Sequence, residues 1–127
     1  MLSSNEMQLM EIFWKLEKPL SSVELTPYFE EWKNGYLHNL LKGLHDRGIL
    51  AEYDIVQYGR RYAKQYIPSM SKEQYAAKVI SNMNVTKKNL SKVAIALVEE
   101  ISDADQDGVI EELESILHEL KEKNKKR

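Results

Sequence analysis

The sequence predicts a mostly α-helical chain with one small β-hairpin, divided into a compact N-terminal domain and a helical C-terminal region. Three observations carry this. Ten of the eleven aromatic residues lie between Phe13 and Tyr66, the eleventh is Tyr75, and none follows it. Apolar residues recur at the helical spacing of three and four along most of the chain, and give way only near 50–68 to extended runs rich in Tyr, Ile and Val. Charge is segregated too. A net charge of −2 conceals a segment, 33–66, with six basic residues (Lys33, Lys42, Arg47, Arg60, Arg61, Lys64) against three acidic ones, whereas Leu97 to Leu120 holds nine acids and neither Lys nor Arg. A mildly basic middle and a strongly acidic end imply two jobs on one chain of 127 residues.

Ser3 and Glu6 have capping-box spacing and open the first helix. Behind them Met7, Met10 and Trp14 form one apolar stripe and Leu9, Phe13 and Leu16 another, so this helix is buried on more than one side. Pro19 ends it, leaving Leu20 and Ser21 as a short extended piece. Ser21 and Glu24 repeat the capping box, but Pro27 is too deep for an undisturbed helix: either the helix kinks, or Thr26 caps a new start with Pro27 in its first turn. The third helix follows in NGYLHNLLKGLHDRGIL, with Leu37, Leu40, Leu41 and Leu44 facing a core and Gly48 as the stop. LAEYDIVQY and RRYAKQYIP then make a two-stranded hairpin around Gly59, ended by Pro68. Helix, short strand, two helices and a hairpin is the order of a winged helix-turn-helix, assigned here to residues 1–70.

Residues 71–127 read as a linker helix, capped by Ser71, and a helical dimerisation region. One amphipathic helix carries Leu90, Val93, Leu97 and Ile101, a second Ile110, Leu113, Leu117 and Leu120. Short aliphatic stripes without an aromatic residue take their stability from packing, and a second copy of the chain is the expected cover. Between them DADQDGVIEELE fits the calcium-loop pattern, with Asp103, Asp105, Asp107 and Glu114 as ligands and Gly108 at the turn. The competing reading is a metal-free helix start, with Asp105 or Asp107 capping and Glu111 and Glu112 favouring the positive end of the helix dipole.

Other chemistry finds no residues to carry it. The chain has no cysteine, which removes disulfides, zinc-thiolate sites and thiol catalysis. There is no carboxylate pair, activated nucleophile or phosphate-cradling loop to suggest an enzyme, and His38, His45 and His118 are too scattered for a metal site. Phe13, Trp14, Phe29 and Trp32 are read as core, not as a ligand pocket. No apolar run reaches the roughly 20 residues of a membrane span and MLSSNEMQ has no signal-peptide pattern, so a cytoplasmic protein is expected.

The chain resembles the penicillinase-repressor family of transcriptional regulators. The resemblance rests on SSNEMQLMEIFWKLEKPLSSVEL, YLHNLLKGLHDRGIL, RRYAKQYIPSMSKEQY, KVAIALVEE and EELESILHEL, in the family's order and over nearly the whole chain. It implies a homodimeric repressor on a palindromic double-stranded operator, the third helix (about 34–47) in the major groove and the wing (about 50–67) along the phosphates. On that reading Lys33, Asn34, Tyr36, His38, Asn39 and Lys42 lie at or near DNA, Lys42 and Asn39 suit guanine and adenine, and Arg60 and Arg61 suit phosphates. The resemblance also implies a membrane sensor-protease system as a partner.

Several positions depart from the family pattern. Tyr36 and Leu37 replace Thr and an aliphatic residue, Gly43 stands where Arg is usual, and the Asn-Phe pair near the family's cleavage point is missing from Ile95 to Val98. Two other readings stay open: a calcium-dependent interaction protein using 103–114, and a winged-helix module that serves protein partners.

Overall fold

The computed structural model describes residues 1–126 and contains two compact units, Met1–Val79 and a second from Ile80 onward. In the first, α1 (Ser4–Leu16) begins with a complete capping box. The Glu6 amide donates to Ser3 Oγ at 3.2 Å and the Ser3 amide to Glu6 Oε1 at 2.8 Å. Leu9, Met10 and Phe13 are buried, and Met7, Trp14 and Leu16 pack around the same core, so both stripes are used. The helix closes with Glu17 in a left-handed conformation (φ 52°).

Strand β1 (Leu20–Ser21) leads into α2 (Ser22–Leu25), whose capping box joins Ser21 and Glu24. Thr26 does not cap a new helix. Its hydroxyl donates to the Ser22 carbonyl at 2.7 Å and closes α2, and Pro27 sits in the first turn of a 3₁₀ segment, Thr26–Tyr28, where its missing N–H costs nothing. Helix α3 (Asn34–Asp46) buries Leu37, Leu41 and Leu44, with Gly48 past its end at φ 76°.

Strands β2 (Leu50–Tyr58) and β3 (Arg61–Pro68) form the hairpin, with a bulge between Glu52 and Asp54 and Gly59 turning at φ 62°. The extended piece after Pro19 adds to this hairpin as a third strand. Leu20 pairs with Tyr66 and Ser21 with Gln65, giving the antiparallel order β1-β3-β2. The core lies between α1, α2, α3 and this sheet, and Phe13 and Phe29 are inside it with Trp14 and Trp32 packed against it. Helix α4 (Lys72–Ser81) is capped by Ser71 and Gln74 and returns to α1. Tyr75 Oη accepts from the Leu2 amide at 2.7 Å, and Trp14 Nε1 donates to the Met70 carbonyl at 3.1 Å.

The second unit consists mainly of α5 (Leu90–Glu99) and α6 (Asp103–Lys125). Here the structure corrects the reading of Asp103 to Glu114 as a loop. All twelve residues lie in α6, so Gly108 is mid-helix and makes no turn. Asp103, Asp105, Asp107 and Glu114 are strung along the helix, and among the described residues no three metal-binding side chains converge. The helix also starts earlier than a cap at Asp105 or Asp107 would place it, at Asp103 behind Ser102. Acids in the first turn complement the exposed amides, which lets a calcium-loop pattern serve as a helix start.

Candidate nucleic-acid interface

Opposite the buried leucines of α3, at about 100° per residue, the helix presents Gly35, Asn39, Lys42 and Asp46. Asn34, His38 and His45 flank this row on the side of the hairpin, where a broad groove runs between α3 and the wing. That groove brings together Asn34, His38, Asn39, Lys42 and Arg61 of the expected DNA set. Lys33 stands at the N-cap of α3 and Arg60 in the hairpin turn, both exposed. Tyr36 lies elsewhere: its Oη accepts from Asn5 Nδ2 at 2.7 Å, which ties it to α1.

The helix is held firmly at both ends. Phe29 and Trp32 stack at 4.3 Å, and Tyr36 meets Trp32 edge-on at 5.3 Å, so three aromatic rings brace the turn entering α3. At the far end Arg47 Nη1 donates to Glu6 Oε2 at 2.6 Å. Burial pushes the Glu6 carboxyl up, but the Ser3 amide and the Arg47 guanidinium outweigh it and hold the pKa below its ordinary value. One carboxylate therefore caps α1 and anchors α3.

The wing is fixed by a polar knot that the sequence did not disclose. Glu24 Oε1 accepts from the Ser21 amide at 3.2 Å, from Tyr58 Oη at 3.0 Å and from Gln65 Nε2 at 3.0 Å. Ser21 is fully buried, with its hydroxyl 2.9 Å from Tyr58 Oη. Burial raises the Glu24 pKa, yet Gln65, Tyr58 and Ser21 together lower it further, so the carboxylate stays ionised. Only the Ser21–Glu24 spacing was a signal; Tyr58 and Gln65 reach the site through strand pairing.

Charge pairing then sorts the cations. Arg47 is occupied by Glu6, and Lys64 by Glu52 at 2.9 Å. The Lys64 ammonium lowers the Glu52 pKa and is itself raised. Among the described residues Lys33, Lys42, Arg60 and Arg61 of the basic segment have no carboxylate within salt-bridge distance. Asp46 and Tyr62, which sequence reasoning passed over, also line the groove; exposed Tyr62 follows Arg60 and Arg61, a basic-aromatic run that could have marked it. In the second unit Leu90, Leu97, Ile110, Leu113, Leu117 and Leu120 are exposed, while Val93 and Ile101 are half-buried.

This arrangement is that of a winged helix-turn-helix domain, with α2 and α3 as its helix pair and β2 and β3 as its wing. The profile of the penicillinase repressor family matches residues 2–119, and the chain belongs to that family. It is accordingly a DNA-binding transcriptional repressor and not an enzyme. Among solved structures the chain is similar to one described as "Crystal structure of Bacillus subtilis PadR in complex with operator DNA", at 18% identity and a TM-score of 0.48, over 98% of this chain and 79% of that one. No curated protein matches. No helix among the described residues is long and apolar enough to cross a membrane.

Proposed function

We propose that the chain acts as a homodimer that reads a palindromic operator, α3 entering the major groove and the wing following the backbone. The observation that carries this reading is the groove between α3 and the wing, lined by Asn34, His38, Asn39, Lys42 and Arg61, with Lys42 and Arg61 free of carboxylates. Lys42 and Asn39 lie on the most outward row of α3 and have the chemistry to bond guanine and adenine edges. Lys33, Arg60 and Arg61 supply phosphate contacts that set register. The amide end of α3 has no side-chain cap, which leaves its positive dipole end available to a phosphate.

The dimer half of the proposal is supported by the exposed aliphatic residues of α5 and α6, among them Leu90, Leu97, Ile110, Leu113, Leu117 and Leu120, because short helices take their stability from packing. Selection of bound sequences from random DNA tests both halves. A palindrome with half-sites about one helical turn apart is the expected result. Binding that is flat across sequences and indifferent to salt would refute it.

A further inference from the structure

Two carboxylates line the groove between α3 and the wing, those of Glu52 and Asp46. Glu52 is neutralised by Lys64 at 2.9 Å. Asp46 has no such partner. Among the described residues no Lys or Arg lies within salt-bridge distance of it, the adjacent Arg47 being taken by Glu6, and its ionic contact is with His45 Nδ1 at 3.8 Å, beyond hydrogen-bond reach. The side chain is 62% exposed and stands on the same outward row as Asn39 and Lys42.

That position is unfavourable in two ways. Asp46 is the last residue of α3, so its charge sits at the negative end of the helix dipole. On a row turned to DNA it also meets phosphates of its own sign. Helix stability and general affinity therefore both favour a cation or a neutral residue here, and a break with local preference of this kind is expected where a residue serves a site. What a carboxylate offers in the major groove is selectivity. It only accepts hydrogen bonds, and the donors displayed there are the amino groups of cytosine and adenine. Adenine sets its N7 acceptor beside the amino group, whereas cytosine shows no acceptor on that edge, so cytosine is the better partner and the oxygens of guanine and thymine repel.

Four residues separate Asp46 from Lys42, about 6 Å along the helix axis at about 1.5 Å per residue, against about 3.4 Å between base pairs. We infer that Asp46 is a specificity-determining residue, accepting from a cytosine amino group within about two base pairs of the guanine that Lys42 bonds. This rests on the DNA reading proposed above and adds a base to each half-site.

Selection of bound sequences from random DNA, run on the full-length protein and on its Asp46→Ala and Asp46→Asn variants, tests this directly. The unsubstituted protein should keep a cytosine at one position of each half-site. Asp46→Ala should lose that preference alone, and Asp46→Asn should move it to adenine, which an amide bonds through N6 and N7. On a fixed operator, changing that cytosine·guanine pair to thymine·adenine should cost the unsubstituted protein about tenfold in Kd and Asp46→Ala less than about twofold. Identical selections from all three proteins, or a loss spread over every position, would overturn the assignment. Failure of the unsubstituted protein to select any sequence would instead remove the DNA reading on which it stands.

Discussion

Lys42 and Arg60 are both unpaired cations, but their settings differ. Lys42 lies on the outward row of α3, and Arg60 in the hairpin turn. Lys42→Ala should relax base preference at one position of each half-site, at about 1–3 kcal/mol, as read by competition with mismatched operators. Arg60→Ala should weaken all sequences alike and make the salt dependence shallower. Glu24 acts differently, because it holds the wing and need not touch DNA. Glu24→Ala leaves three donors of Ser21, Tyr58 and Gln65 without their acceptor and should cost about 1–3 kcal/mol in urea unfolding. Its pKa is lowered in the folded state, so its contribution is present above the ordinary value of 4.5 and lost as pH falls through the folded value. Urea midpoints across that acid range should therefore fall less steeply for Glu24→Gln than for the unsubstituted protein.

At the scale of elements, helix starts show both the reach and the limit of sequence reading. The boxes at Ser3 and Ser21, the stop at Gly48 and the turn at Gly59 were legible because each is local: side chain and backbone partner lie within a few residues. Pairing of β1 with β3, and the closure of Tyr58 and Gln65 on Glu24, were not, since they join residues 34 to 46 positions apart that no periodicity connects. The start of α6 was misjudged for a physical reason. Alternating aspartates followed by glutamates suit a cation and a helix dipole equally, and helix won because the aliphatic stripe continues through the segment. Two measurements check this. Gly108, whose added Cβ would meet nothing within 4 Å, should as Ala stabilise the helix by about 1 kcal/mol, seen as a higher thermal midpoint. Millimolar calcium should leave helicity unchanged and give no heat of binding; a heat accompanied by lost helicity would restore the loop.

For the molecule as a whole, the two units differ in how they are packed. The first carries a complete buried core and the groove residues, while among the described residues of the second none is buried. Truncation after Asn89 should therefore leave a folded first unit that is monomeric in sedimentation. Its affinity for a full operator should fall at least about tenfold, because the second half-site no longer binds at high effective concentration. Undiminished affinity would show that the last two helices serve another purpose.

The Glu6–Arg47 bridge reaches further than its own geometry. It joins positions 41 apart in sequence, at the start of α1 and the end of α3. In a search for alleles that lose repression, substitutions at either should appear among those of α3 although neither lies in the groove. Combining the two should add little to either alone, since each already releases the end of α3. Genetically, two distant codons would behave as a single locus, and a map of defective alleles would overstate the footprint of the operator on the protein.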